Sequence, residues 1–518
     1  MLERELKLHV PAKARTAIEK ELRAAKARRI ALHARYYDTA ERELAKANVA
    51  LRLRKEGRRW VQTVKAPGAD ALSRLEINHL RPRPELDVQL YGDTPFQQVL
   101  DRLENPLALR YETKVARLAL QLELPNAVVE IAYDQGAIIA GELELPISEI
   151  EFELLSGNVE ALFEIGDQWL RRHGLILDMR SKAERGDALA GIVAQAPEGT
   201  ARKALADRLC TARKARHVVL EGRAGVAQAY QVCANECLAQ IIQNTAYAAG
   251  VDTEAADKQA RAEYVHQLRV GMRRLRSCWK LFHQWVPEPD SPSRAELRKS
   301  FGLFGGSRDH DVIKLEIEPR LKQAGMPAFK QPPAHAQPRV RPQSAASDAA
   351  FQSALLKLLG GLVLLGEAAT ASPAPTCAAG AAARAGSPGD ALQPALIKRL
   401  NGWLKKIVKG SAHFESLPIE TQHDLRKQVK NLRYCLDFSE RLLPRAELES
   451  LRGVLTHIQK LLGDLNDYYV AEQYYLPLVD AEPRIWFAIG WLRSMQGRQK
   501  SQAQRFFKQL GEHGPFKT

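Results

Sequence analysis

The sequence predicts a multidomain chain, an α+β module followed by an all-α module, and three observations carry that division. Up to about residue 190, short segments alternate apolar and polar residues with period 2 between Gly, Pro, Asp and Asn turns. From about residue 201 that alternation gives way to apolar stripes of period 3.6. Charge divides at the same place: residues 1–200 hold 30 Lys and Arg against 31 Asp and Glu, whereas residues 201–518 hold 46 against 30. All of the excess positive charge therefore lies in the second module, which predicts an anionic partner there. With 518 residues, 45% of them hydrophobic, the chain has material for several cores. The uninterrupted apolar runs fall well short of the roughly 18 residues a membrane span needs, and the opening MLERELKLHV is too charged for a signal peptide. A cytoplasmic protein without a membrane span is expected. Six cysteines with no C-x-x-C pair give no disulfide framework and no structural zinc signature.

The first strand sets the pattern for the N-terminal module. Glu3, Glu5 and Lys7 share one face, and Leu2, Leu6 and Leu8 share the other with Arg4. A helical stretch follows at 11–28. Arg52 and Arg54 then alternate with Leu51 and Leu53, Thr63 and Lys65 flank Val64, and Arg74 and Glu76 alternate with Leu75 and Ile77. Arg117 precedes Leu118, and Glu130 and Asp134 share a polar face beside Ile131 and Tyr133. Glu149, Glu151 and Glu153 alternate with Ile150, Phe152 and Leu154 before a second helical stretch at 157–173.

An antiparallel sheet with one solvated face accounts for any single strand of this kind. It accounts poorly for a polar face made so largely of carboxylates and guanidinium groups. Carboxylates two apart on a strand stand about 7 Å from each other, close enough to share a hard divalent cation. Arginines at the same spacing match phosphate oxygens. A sheet closed into a barrel would turn both sets inward, so that the basic rail binds a triphosphate while the acidic cluster holds Mg²⁺ or Mn²⁺. The chain has no G-x-x-x-x-G-K-[ST] loop, which excludes a P-loop enzyme.

The opening Glu3-Arg-Glu5-Leu-Lys7 resembles the E-x-E-x-K signature of the CYTH proteins, the triphosphate tunnel metalloenzymes. Seven further segments follow in the family's order: ALRLRKEG (50–57), QTVKAPG (62–68), SRLEI (73–77), KVARLAL (114–120), VEIAYDQG (129–136), SEIEFEL (148–154) and DMRSKAERG (178–186). The resemblance implies an eight-stranded antiparallel β tunnel with flanking helices over residues 1–200, hydrolysing inorganic tripolyphosphate with Mg²⁺ or Mn²⁺. It implies Glu3, Glu5, Glu149 and Glu151 as metal-side carboxylates, with Glu130 and Glu153 nearby. Lys7, Arg52, Arg54, Lys65 and Arg117 are implied as the phosphate-binding rail, and Lys182 as a lysine offered by a closing helix. Glu3, Glu5, Lys7 and Lys182 are the candidate catalytic residues. Glu76 and Asp134 either touch the metal or tune a neighbouring cation, and Arg74 belongs to the rail or to the surface at a strand end. ATP cyclisation and thiamine triphosphate cleavage use the same metal and rail and stay open.

Beyond a linker at 201–215, residues 264–283 carry two parallel stripes. Val265, Leu268, Met272, Leu275, Trp279 and Phe282 form a core-facing stripe, and one position later come His266, Arg269, Arg273, Arg276, Lys280 and His283. The pattern returns with an offset of 157 as His423, Arg426, Lys430 and Arg433 beside Leu425, Val429, Leu432 and Leu436. Gly305-x-x-Arg308-Asp309-x-x-Val312 likewise recurs as Gly463-x-x-Asn466-Asp467-x-x-Val470, so the module is an internal duplication. A solvated basic face accounts for one such helix but gives no reason to repeat it in register. A metal is disfavoured, since no histidine has a second ligand at i, i+4 and the neighbouring arginines repel cations. The helices read instead as linear anion tracks, with Asp309 and Asp467 holding arginines in position. The scarcity of interleaved aromatics argues against stacking on nucleic acid.

This arrangement resembles the CHAD domain, an all-helical module of two related four-helix bundles. The resemblance covers about 216–510, with halves near 216–325 and 396–510, and implies inorganic polyphosphate as the partner, with Arg308 as a further contact. The Pro/Ala-rich segments 326–348 and 366–395 read as flexible insertions flanking a short helix around 349–365. Asn466 in place of Arg308 implies weaker anion binding by the second copy. CYTH followed by CHAD is a known fusion, which implies a triphosphatase tethered to polyphosphate in the cytoplasm, free or on polyphosphate or storage granules. A polyphosphate-docking protein with weak tunnel activity is the other reading.

Overall fold

The structure is a computed structural model that describes residues 2–196, 199, 209–221, 225–328, 340–371 and 392–517, with backbone alone for 306–311 and 369–371. Of the expected insertions, residues 329–339 and 372–391 lie outside the described residues. Strands β1 (Leu2–His9), β2 (Arg28–Asp38), β3 (Ala50–Glu56), β4 (Arg59–Pro67), β5 (Ser73–Arg81), β6 (Ala108–Leu124), β7 (Ala127–Ala140) and β8 (Leu143–Gly157) pair antiparallel in the order β5-β4-β3-β2-β6-β7-β8-β1. Pairing of β1 with β5, Leu2 opposite Leu75 and Glu3 opposite Arg74, closes the eight strands into a barrel. A two-residue strand β9 (Ile176–Leu177) pairs with the end of β1.

Closure sorts the alternating side chains as their period demands. The outward set of Leu6, Leu8, Val129, Ile131, Ile150 and Phe152 is fully covered and packs on helices Arg15–Ala24 and Glu160–His173, through Ile18, Leu22, Leu162 and Trp169. The charged set is left facing inward. Helix Lys182–Gln195 starts at Ser181, whose side chain and that of Glu184 form a reciprocal capping box. This helix closes one side of the barrel. Its Gly186 is required there, because a Cβ at that position would stand 2.2 Å from the Tyr111 ring of β6.

Among the described residues, the second module contains eight long helices. Val226–Ala249, Lys258–Phe282, Ser291–Val312 and Ala349–Ala371 form the first set, followed by Leu392–Gly410, Ile419–Phe438, Arg445–Tyr475 and Trp486–Gly511. One correction concerns the helix expected around 349–365 between insertions: it runs to Ala371, and a further helical turn, Pro342–Ala346, precedes it. Far from peripheral, it is the fourth helix of the first set and a contact between the modules. Phe351, Leu355, Leu356 and Leu359 are buried, Gln352 accepts a hydrogen bond from the Leu177 amide of β9 at 2.9 Å, and Glu367 pairs with Arg4 of β1. By length and composition, residues Ala349–Ala368 pass for a membrane span, yet 61% of the stretch is buried inside the protein. Its apolar surface is spent on two partners, the helical core and the outer wall of the barrel. The expected linker is described over 209–215; this stretch and residues 216–221 after it are irregular but packed, with Cys210, Ala212, Val218 and Leu220 buried.

If this helix is a core element, Phe351→Ala should remove about 3–5 kcal/mol of stability through lost burial and a cavity. Chemical denaturation would show both modules shifted; an unchanged midpoint would place the helix outside the shared core.

Candidate active site

The barrel encloses a cavity of about 530 Å³ lined by Glu3, Glu5, Lys7, Arg52, Arg54, Lys65, Arg117, Glu130, Glu151, Glu153 and Lys182. Of the expected tunnel residues, Glu149 alone is missing from this lining. It is buried one pleat step beyond Glu151, paired with Lys182 at 2.5 Å and with Arg185 at 3.3 Å. Arg74 faces the cavity and is not a surface residue; its guanidinium donates to the Ala71 and Ser73 carbonyls.

The charges divide into two groups with different chemistry. In the first, the Lys182 ammonium sits among Asp134 at 2.8 Å, Glu149 at 2.5 Å and Glu151 at 2.8 Å. Arg117 holds Asp134 with a bidentate fork, both bonds 2.7 Å, and reaches Glu151 at 2.6 Å. Burial alone would raise Glu151, but Lys182 and Arg117 overcome it and hold its carboxyl well below the usual range. These three carboxylates have oxygens close enough to hold a metal. In this structure the Lys182 ammonium stands among them. Asp134 tunes two cations, one of the two roles the sequence left open.

The second group is not balanced. Glu5 on β1 stands directly opposite Glu153 on β8, which stands opposite Glu130 on β7, and Glu3 lies two residues from Glu5 on the same face. Like charges in adjacent register destabilise a sheet. The cost shows in their protonation: burial, with Glu130 and Glu5 beside it, pushes the Glu153 carboxyl up to about 7. Burial likewise pushes Glu3 up to about 8, although Lys65 opposes it. One lysine cannot neutralise this corner, because Lys65 is shared between Glu3, Glu5 at 3.7 Å and Glu76 at 3.1 Å. Glu76 is itself held low against burial by Arg52 and Lys65. A row of buried oxygen donors in which Glu3 and Glu153 retain protons for want of positive charge fits a hard divalent cation.

The basic wall carries the opposite strain. Arg54 pairs with Glu56 but is pressed below its usual value by burial and by the nearby Arg52 and Arg117. Arg52 reaches the Tyr36 hydroxyl at 3.4 Å. Tyr36 and Tyr111 stack at 4.7 Å, and Tyr111 donates to the Ala183 carbonyl, which seats the closing helix. Sequence reading missed both tyrosines, since on a strand a tyrosine reads as core.

In the helical module the two basic helices, Lys258–Phe282 and Ile419–Phe438, lie side by side. Residues 157 apart in sequence thus meet at one place. Burial and the charges of Arg426, Arg273 and Arg269 push the Lys430 ammonium down to about 6, against the pull of Asp467. Arg269, Arg273 and Arg276 fan over the Phe301 ring at 4.4, 5.3 and 6.0 Å, and Arg269 also donates to the Phe301 carbonyl. His423 lies beside Tyr469, its pKa lowered by burial and by Arg426 and Lys427. Arg433 lies near Tyr434 on the same helix, together with Arg273. His266 and Arg269 are on the first helix as expected. The side chains of Arg308 and Asp309 lie outside what the structure describes.

A closed antiparallel tunnel lined by opposed acidic and basic walls, joined to a duplicated helical module with a basic seam, defines a protein of two modules, each with its own concentration of charge. Family models place it: the CYTH domain model matches residues 1–186 and the CHAD domain model matches residues 233–475, so the chain joins a CYTH domain to a CHAD domain. An inorganic triphosphatase of Haemophilus influenzae is 36% identical over 162 residues, which is 29% of this chain and 44% of that protein. The chain thus matches less than half the length of that relative. Among solved structures, the CHAD domain of Ricinus communis is 21% identical, covering 59% of this chain and 98% of its own with a TM-score of 0.43. A Hippeastrum protein whose structure reveals a dominant triphosphatase activity is 16% identical, covering 36% of this chain and 94% of its own with a TM-score of 0.26.

The raised carboxyls fix a pH dependence. Folded Glu3 and Glu153 keep protons that the unfolded chain, at the usual 4.5, has already released, so their contribution to stability falls as pH rises from about 4.5 to about 8. A divalent cation would displace those protons. Thermal stabilisation by Mg²⁺ or Mn²⁺ should therefore grow between about pH 6 and pH 8 and shrink in Glu153→Gln. A pH-independent shift would show that the metal binds elsewhere.

Proposed function

We propose that the tunnel hydrolyses inorganic tripolyphosphate with a divalent cation, Mg²⁺ or Mn²⁺, and that the helical module binds inorganic polyphosphate. The observation that carries the first half is the pairing of a carboxylate row, Glu5–Glu153–Glu130, with a basic wall inside one enclosed cavity. Glu3, Glu5, Glu130 and Glu153 would hold the cation, which supplies charge neutralisation at the phosphate oxygens. Arg52, Arg54, Lys65, Lys7 and Arg117 bind and orient the chain of phosphates; Arg54, crowded by other cations, gains most from an anion. Lys182 completes the rail from the closing helix, where Asp134, Glu149 and Glu151 hold its ammonium charged. In the reaction the oxygen of water bonds to a terminal phosphorus, the bridging P–O bond breaks, and orthophosphate and pyrophosphate leave. Charge that builds on the equatorial oxygens meets preorganised guanidinium groups in a site largely screened from bulk water.

For the second half, support comes from the seam where Arg269, Arg273, Arg426 and Lys430 crowd one another. A polyanion laid along it would let Lys430 take up its proton and satisfy both copies of the repeat together. That geometry favours one shared anion site over a strong and a weak one. In this reading the protein works in the cytoplasm and is drawn to polyphosphate granules through this module.

Glu3→Gln with Glu5→Gln should lower the rate of phosphate release from tripolyphosphate by at least about 100-fold while leaving long-chain polyphosphate binding intact. Undiminished turnover would refute the tunnel assignment. A parallel panel with ATP and thiamine triphosphate fixes the substrate class. In the other module, replacing Arg269, Arg273 and Arg276 with Ala should flatten the slope of polyphosphate affinity against salt by about three charges. An unchanged slope would place the anion track elsewhere.

A further inference from the structure

A buried chain of ions runs from the helical module to the tunnel wall. It begins at Asp252, in the turn after helix Val226–Ala249, within the stretch matched by the CHAD model. Its carboxylate is 3% exposed and takes Arg185 at 3.0 Å through one oxygen and Arg180 at 3.0 Å through the other. Both arginines belong to the tunnel module. Arg185, 4% exposed, lies in the first turn of the closing helix and reaches Glu149 at 3.3 Å, and Glu149 contacts the Lys182 ammonium at 2.5 Å. Lys182 then stands against Glu151 on the cavity wall. Arg180 flanks the start of the same helix, held by Asp178 and stacked over Tyr247 at 4.8 Å.

The backbone at Asp252 is held in an uncommon conformation. Its φ is +57°, and Gly250 two residues earlier has φ +106°. Aspartate is among the few side chains that tolerate this region, and strain at such a position points to a role for the side chain it aims. Thr253 donates to the Tyr247 carbonyl and the Cys210 thiol donates to the Asp252 carbonyl at 3.3 Å, so the turn is fixed from both sides. Removing Asp252 would leave two buried guanidinium groups short of charge, and the nearest relief for Arg185 is to draw Glu149 away from Lys182.

We propose that Asp252 is a positioning residue for the tunnel reaction: the helical module reaches across to set the closing helix, and through Arg185 and Glu149 the place of the Lys182 ammonium. The module is then part of the catalytic apparatus as well as a docking device. This rests on the triphosphatase reading above, and the two can fail separately.

The test uses the full chain with tripolyphosphate and Mg²⁺ or Mn²⁺. Asp252→Ala should lower kcat about 10–100-fold, the usual effect of losing a group that orients a ligand-contacting residue, with KM changed less than about threefold. Arg185→Ala should do the same, and the double variant should be no worse than the poorer single one. Asp252→Asn, which keeps an acceptor for Arg185, should recover part of the loss. It also serves as the readout if Asp252→Ala does not fold. Polyphosphate binding by the folded variants reports on the helical module. An Asp252→Asn or Asp252→Ala enzyme with wild-type kcat, or strictly multiplicative losses in the double variant, would overturn the proposal. If the wild-type chain itself releases no phosphate, the tunnel reading fails instead.

Discussion

Closure of the sheet between β1 and β5 is the constraint from which the rest of the molecule follows. An open sheet would let Glu3, Glu5 and Glu153 face water, where their repulsion is cheap to screen. Once closed, the inward pleat has no solvent to spend, and each ionised group must find a counter-charge or give up its ionisation. Both outcomes are present in one cavity. Glu151 stays ionised because Lys182 and Arg117 meet it, whereas Glu3 and Glu153 are pushed toward their neutral forms.

Much of this was legible in the sequence because strand alternation is a strict code. With period 2, the assignment of Glu3, Arg52, Lys65 and Glu151 to a single face follows once each strand is recognised, and closure then makes that face an interior. The repeat offset of 157 similarly located both basic helices. What the alternation could not convey is depth and company. Glu149 obeys the same period as Glu151 but lies past the end of the cavity, where the closing helix covers it. Nothing in a one-dimensional pattern distinguishes the two, since the difference is set by where a helix thirty residues later lands. The same blindness hid the helix Ala349–Ala371. Its flanks are low in complexity and invite a reading as insertion, while its role depends on two surfaces contributed by distant parts of the chain. Asp252 carried no motif at all.

The two modules solve related electrostatic problems by unlike means. The tunnel sets acidic and basic walls face to face and leaves a surplus of each sign for a phosphate chain and its cation to complete. Among the described residues of the helical seam, Asp467 is set against Arg269, Arg273, Arg426 and Lys430, and burial together with those cations lowers Lys430. A site of the first kind recognises a bounded, metal-bearing phosphate. One of the second kind recognises charge density along a line and discriminates little by length. Under the proposed function, the combination suits one polymer chemistry met at two scales.

Between these two sites lies a boundary unlike a flexible tether. Domains joined by a small polar contact ordinarily move against each other. Here the central helix gives its apolar face to both cores, and beside it Asp252 closes a charge chain at the buried Arg185 and the largely buried Arg180. Apolar packing resists separation but tolerates sliding, because dispersion contacts are easily exchanged for similar ones. Buried ion pairs do not tolerate it, since a shift of an ångström or two leaves a charge without a partner. The helix therefore holds the modules together while the ions set their register, and in the proposed reaction register is what the Lys182 ammonium requires to meet a phosphate.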